Sequence, residues 1–98
     1  MNSFLFNRSD GLCESCGRPA QDKAHIEPKM MGGHSKFKAF YDDNRNLAAS
    51  CRTCHTALDQ RKEGWMEILE KFKAASGWNA WAVEAISKGI ILRNKVML

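Results

Sequence analysis

No apolar run in the 98 residues approaches the roughly 18–20 residues of a membrane-spanning helix, so no membrane span is expected. The opening Met1-Asn2-Ser3-Phe4-Leu5-Phe6-Asn7-Arg8 lacks a basic segment followed by a long apolar stretch. A secretory signal is therefore not expected, and a cytoplasmic place of work is. There is no low-complexity segment and no internal repeat beyond one pair of cysteine motifs. A composition 44% hydrophobic and 27% charged argues against disorder. The length fits one domain, residues 1–98, whose core alone is marginal, so an added staple is plausible. The excess of positive charge is small, +4 with a pI near 9.0. It favours a polyanionic partner. Four thiolates holding one Zn²⁺ would lower it to about +2, so any nucleic-acid argument has to rest on a site.

The cysteines are four, all in two pairs, Cys13-x2-Cys16 and Cys51-x2-Cys54. Without an export signal, disulfides are disfavoured, and two such knuckles read as a Cys₄ structural zinc site. The alternative is two unrelated redox or buried pairs. Thirty-four residues separate Cys16 from Cys51, more than a minimal zinc ribbon needs, so further structure is inserted between the knuckles.

Along the chain, residues 1–12 read as a lead-in with an apolar Phe4-Leu5-Phe6 patch. Gly17 suits the tight turn after the second ligand. Residues 23–27 form a candidate strand that Pro28 ends. Residues 29–45, with Gly32, Gly33, Ser35, Asp42, Asp43 and Asn44, have loop chemistry. Asn46 to Ser50 is a second extended piece, and a helix runs from the second knuckle to about Lys62. Trp65, Ile68, Leu69 and Phe72 fall at i, i+3, i+4 and i+7, which predicts a helix over Trp65 to Ala75. A third helix, Trp78 to Lys88, follows the break at Ser76-Gly77 and stops at Gly89. The fold class is α+β.

Between and beside the knuckles stand His25 in Ala-His-Ile, followed by Pro28 and Gly32-Gly33; Asn46 in Asn-Leu, five residues before Cys51; and His55, directly after Cys54. In this order and spacing, residues 13 to about 62 resemble the HNH endonuclease family, whose pattern runs CxxC, then HI.P…GG, then NL…CxxCH. The resemblance implies a small zinc-stapled ββα-metal (His-Me finger) domain with motif core 13–62 and a helical C-terminal extension 63–98. It further implies a metal-dependent hydrolase of phosphodiester bonds in DNA. His25 takes the place of the general base, Asn46 that of the residue orienting the base-bearing loop, and His55 that of a ligand to a catalytic ion. The chemistry suits these residue types. A neutral imidazole accepts a proton near neutral pH, and a divalent cation offsets charge developing on phosphate.

One position departs from the pattern. Many members carry Asp or His before the base, as a second ligand; here it is Ala24, which cannot coordinate. Asp59 is the candidate replacement, because four residues after His55 it shares a helix face with it. Its alternative is a solvated side chain paired with Lys62. A His and a carboxylate with open water positions suit Mg²⁺ or Mn²⁺ better than a closed zinc cage. Glu63, one turn further, is expected to face solvent. His34 contacts phosphate, completes the metal site or is simply exposed.

For nucleic-acid contact the candidates are Lys36, Lys38, Arg52, Arg61 and Lys62, among basic residues that also include Lys29, Arg45, Arg93 and Lys95. Each is equally readable as a solubilising surface charge. Phe37, Phe40 and Tyr41 can stack on bases but suit the core better, and the tryptophans at helical spacing are core. Two other functions compete. One is a zinc-dependent nucleic-acid-binding module without catalysis, which Ala24 favours. The other is a protein-interaction domain whose apolar tail, Ile90-Ile91-Leu92 and Val96-Met97-Leu98, docks a partner or a second copy. By resemblance the chain looks most like phage or prophage nucleases acting on duplex or branched DNA in a bacterial or phage-infected cell.

Overall fold

The computed structural model describes residues 3–27 and 37–93. In chain order these form helix α1 (Ser3–Ser9), strand β1 (Asp22–His25), helix α2 (Lys38–Tyr41), a 3₁₀ turn (Asn44–Asn46), strand β2 (Leu47–Ser50), and helices α3 (Arg52–Asp59), α4 (Trp65–Ser76) and α5 (Trp78–Ser87). The α+β reading holds at that level: a two-stranded antiparallel sheet with helices packed around it.

The sheet pairs Asp22 with Ser50, Lys23 with Ala49, Ala24 with Ala48 and His25 with Leu47. All four β2 side chains are buried, and small Ala48 and Ala49 let neighbouring elements approach closely. The outer edge of β2 is not left open. Glu14 donates its backbone N–H to the Ala49 carbonyl (2.9 Å), and the Ala49 N–H donates to the Glu14 carboxylate (2.9 Å). Arg8 at the end of α1 grips the same carboxylate with Nε (2.8 Å) and Nη2 (2.6 Å) and also donates to the carbonyls of Leu47 and Asn44. One ion pair therefore satisfies the strand edge and docks α1.

The lead-in with its Phe4-Leu5-Phe6 patch thus carries a helix, α1, that its sequence pattern does not announce. Leu5 is buried with Leu47 and Ala49, and Arg8 supplies the anchor, so tertiary contacts support a helix of only seven residues. The first strand runs Asp22–His25 rather than 23–27, because pairing with β2 sets its ends. Asn46 closes the 3₁₀ turn, and β2 begins one residue later. Within the stretch expected to be loop, residues 37–45 carry α2 and most of the 3₁₀ turn, which Asp43 caps by accepting the Arg45 N–H (2.8 Å). Pro28, Lys29, Gly32, Gly33, His34, Ser35 and Lys36 lie outside the described residues, as do Lys95 and Val96-Met97-Leu98.

The main core gathers Phe40, Tyr41, Phe72, Trp78, Trp81 and Ile91 around Ala24 and Ala48. Trp81 stacks on Phe40 (centroids 4.6 Å apart, 9° between planes). Phe37, Phe40 and Tyr41 are all buried, so they are core and not a base-stacking platform. Ile91 is likewise core at 1% exposure, while Ile90 and Leu92 beside it are exposed at 38% and 49%. The tail is therefore only in part an outward apolar surface.

Helix α3 ends at Asp59, short of Lys62, because Arg61 takes a left-handed φ of 53° that no helix continues. Gly64 (φ 84°) starts α4, which runs to Ser76, and α5 stops at Ser87, one residue before the expected end. Among the described residues, no helix is long and apolar enough to cross a membrane.

Candidate metal centre and adjoining cleft

The first knuckle is a turn closed between Leu12 and Pro19. The Cys13 N–H donates to the Arg18 carbonyl (2.6 Å), and the Gly17 N–H donates to the Cys13 carbonyl (3.0 Å). Gly17 has φ 80°, as the turn requires. The second knuckle is the start of α3. Cys51 is its extended N-cap, and the Cys51 sulfur accepts the Cys54 N–H (3.4 Å). A thiolate there gains from the helix N-terminus.

These turns bring the four sulfurs of Cys13, Cys16, Cys51 and Cys54 within 4.8 Å of one another, with Cys16 and Cys51 3.5 Å apart. Thiolates around a tetrahedral zinc at about 2.3 Å are roughly 3.8 Å apart, so the cluster fits a structural ion such as zinc. None of the four is in a disulfide. Cys13 feels burial against its ionisation, but hydrogen bonds from the backbones of Cys16, Cys51 and Ser15 outweigh it and bring the thiol down to about 7. Burial, then the adjacent Cys51 and Cys16 sulfurs, push Cys54 up to about 12. Burial also raises Cys16. Cys13 ionises readily while Cys16 and Cys54 resist it, and a divalent cation among the sulfurs removes that resistance.

Directly beyond Cys54, the His55 ring lies between two carboxylates. Nδ1 is 3.1 Å from Asp22 Oδ2, and Nε2 is 3.1 Å from Asp59 Oδ2. The Asp59 side chain therefore meets His55, as the four-residue spacing predicts, and not Lys62. The 3.1 Å Nε2–Oδ2 separation is that of a hydrogen-bonded His–carboxylate pair. Asp22 escaped the sequence reading. Alternation along β1 was its signal, since Asp22 shares a strand face with Ala24, two residues on. Arg52 binds Asp22 through Nη2 (3.0 Å) and Nε (3.1 Å), and this pairing, then His55, holds the Asp22 carboxyl below its ordinary range.

His25 ends β1, with Nε2 3.7 Å from Asp42, a second acid the sequence reading passed over as loop. His25, Ile26, Leu58, Asp59 and Arg61 line one cavity of about 180 Å³. Asn46 is fully buried and fills its hydrogen-bonding capacity. Its Oδ1 accepts the Glu27 N–H (2.8 Å) and Trp78 Nε1–H (3.0 Å), and its Nδ2 donates to the carbonyls of Glu27 (3.1 Å) and Tyr41 (3.0 Å). Glu27 is two residues after His25, so Asn46 fixes the backbone that leaves the strand. Ala24 is buried against Ala48 and offers no ligand.

Of the basic candidates, Lys38 pairs with Asp42 (2.6 Å) and Arg52 with Asp22. Arg61 lays its guanidinium 4.0 Å from the Trp65 ring centroid. Exposed Arg52 and Lys62, with Thr53, Thr56, Ala57 and Glu63, line an open groove of about 490 Å³.

No family model, curated protein or solved structure matches this chain.

Proposed function

We propose that the chain is a metal-dependent endonuclease of the HNH (His-Me finger, ββα-metal) type that hydrolyses phosphodiester bonds in DNA. The observation that carries the reading is the shared cavity: His25 from the sheet and Asp59, paired with His55 on α3, approach one space beside a four-cysteine cluster. In that reading the cysteines hold structural zinc and fix α3 against the sheet. His25 accepts the proton of the attacking water, and Asp42 at 3.7 Å is placed to stabilise the imidazolium that forms. Asn46 keeps the His25–Glu27 backbone in place through the hydrogen bonds above. His55 Nε2 and Asp59 would hold the divalent ion, which when bound supplies positive charge against the charge developing on phosphate. Arg61, on the same cavity, and the Arg52, Thr53, Thr56 and Lys62 groove supply contacts to flanking phosphates.

A second reading, nucleic-acid binding without catalysis, draws on Ala24, which leaves the common ligand position empty of donors. Nicking of supercoiled plasmid by the zinc-loaded protein separates the two. The nuclease reading expects nicking with Mg²⁺ or Mn²⁺, none with EDTA, and none by His25→Ala at unchanged zinc content. Binding without cleavage in any metal would leave the second reading standing.

A further inference from the structure

Asp22 has no place in the mechanism above, yet its carboxylate is the most tightly specified acid around His55. It opens β1 on the strand face shared with Ala24, and α3 packs against that strand. Its Oδ2 is 3.1 Å from His55 Nδ1, and Arg52, three residues before His55, fixes both carboxylate oxygens. With Nδ1 giving its hydrogen to Asp22, a neutral His55 ring turns its Nε2 lone pair toward Asp59 Oδ2, 3.1 Å away. That separation suits either a proton on Nε2, donated to Asp59, or a cation between the two atoms, and in both cases Asp22 holds the ring edge toward Asp59.

We propose that Asp22 is the positioning residue of the ion site: it fixes the His55 tautomer and ring plane so that Nε2 and the Asp59 carboxylate present one nitrogen and one oxygen to a hard divalent cation. It takes up by orientation what Ala24 cannot supply by ligation. Partners of this kind behind a ligating histidine typically change metal affinity by about 10–100-fold. The inference rests on the reading of His55 and Asp59 as ligands.

The test uses the zinc-loaded full chain at pH 8 as wild type, Asp22→Asn and Asp22→Ala. Long-range ¹H–¹⁵N correlation reads the His55 tautomer without added metal. Titration with Mn²⁺, followed by paramagnetic broadening of His55, reads affinity. Wild type is expected to show the Nδ1–H tautomer. Asp22→Asn is expected to keep it, because the amide oxygen still accepts. Asp22→Ala is expected to mix tautomers and to bind Mn²⁺ about 10–100-fold more weakly at unchanged zinc content. A purely structural ion pair would make Asp22→Ala less stable but leave tautomer and affinity as in wild type, and that result overturns the proposal. Failure of the underlying reading shows differently, as wild type whose His55 is not broadened by Mn²⁺ at all; the ion site then falls and this proposal with it.

Discussion

Asn46 shows what one buried amide can hold together. Its four hydrogen bonds join the backbone after β1, the end of α2 and the indole of α5. Truncation to Ala would strand two donors and two acceptors with little access to water, each costing about 1–3 kcal/mol when left unsatisfied. We expect Asn46→Ala to lose about 3–5 kcal/mol, read as a lower urea midpoint, the sum being softened by relaxation and entering water. Asn46→Asp is expected to do no better, because a carboxylate cannot donate to the carbonyls of Glu27 and Tyr41. A midpoint shift under about 1 kcal/mol for the Ala variant would show that these bonds do not organise the fold. The order of motifs singles out Asn46 in the sequence, but nothing local announces Trp78 as its partner 32 residues later. The same limit hid Asp22. Helical spacing of four residues leads from His55 to Asp59; Asp22 reaches His55 only through strand pairing and helix docking.

At the scale of elements, periodicity located α4 and α5 to within a residue because both bury an apolar face, Leu69 and Phe72 in one, Trp78, Trp81 and Ala85 in the other. It failed where an element is short and held from outside, as with α1 and its Arg8 anchor, or α2 at four residues. The break at Ser76-Gly77 was legible, and the structure adds why it matters. Gly77, at φ 72° and ψ 28°, ends α4 by donating its N–H to the Lys73 carbonyl and is followed at once by buried Trp78. A Cβ at Gly77 would meet no atom within 4 Å, so steric clash is not the obstacle and only the left-handed backbone is. Gly77→Ala should therefore cost about 1–2 kcal/mol, the ordinary penalty for that conformation, and Gly77→Asn less. Urea unfolding checks this: the midpoint should fall while its slope stays the same. A loss near zero would mean that the α4–α5 turn relaxes to another conformation in solution.

For the whole molecule the question is how two small clusters become one cooperative unit. Leu5, Leu47 and Ala49 form one; Phe40, Phe72, Trp78 and Trp81 anchor the other, which includes Cys13, Cys51 and Cys54. The cysteine cluster ties the segment before β1 to the junction of β2 and α3, so an ion there closes the 34-residue stretch between Cys16 and Cys51. A domain of this length has a stability of about 5–15 kcal/mol. Structural zinc contributes about 10–16 kcal/mol of apparent binding free energy at neutral pH. The two are of the same order, so extraction of the ion is expected to abolish the single cooperative thermal transition rather than lower its Tm by a few degrees. Cys51→Ala should act in the same direction by removing both a ligand and the acceptor that caps α3. Acidification should also release the ion, because the thiolates that bind it must take up protons. Metal analysis and calorimetry before and after chelation would check this, with one zinc per chain expected at the start. A chelated chain that still melts in one sharp transition at the original temperature would mean that Phe40, Phe72, Trp78 and Trp81 hold the fold unaided. The cysteine cluster would then have to be read as a redox or reactive-thiol site.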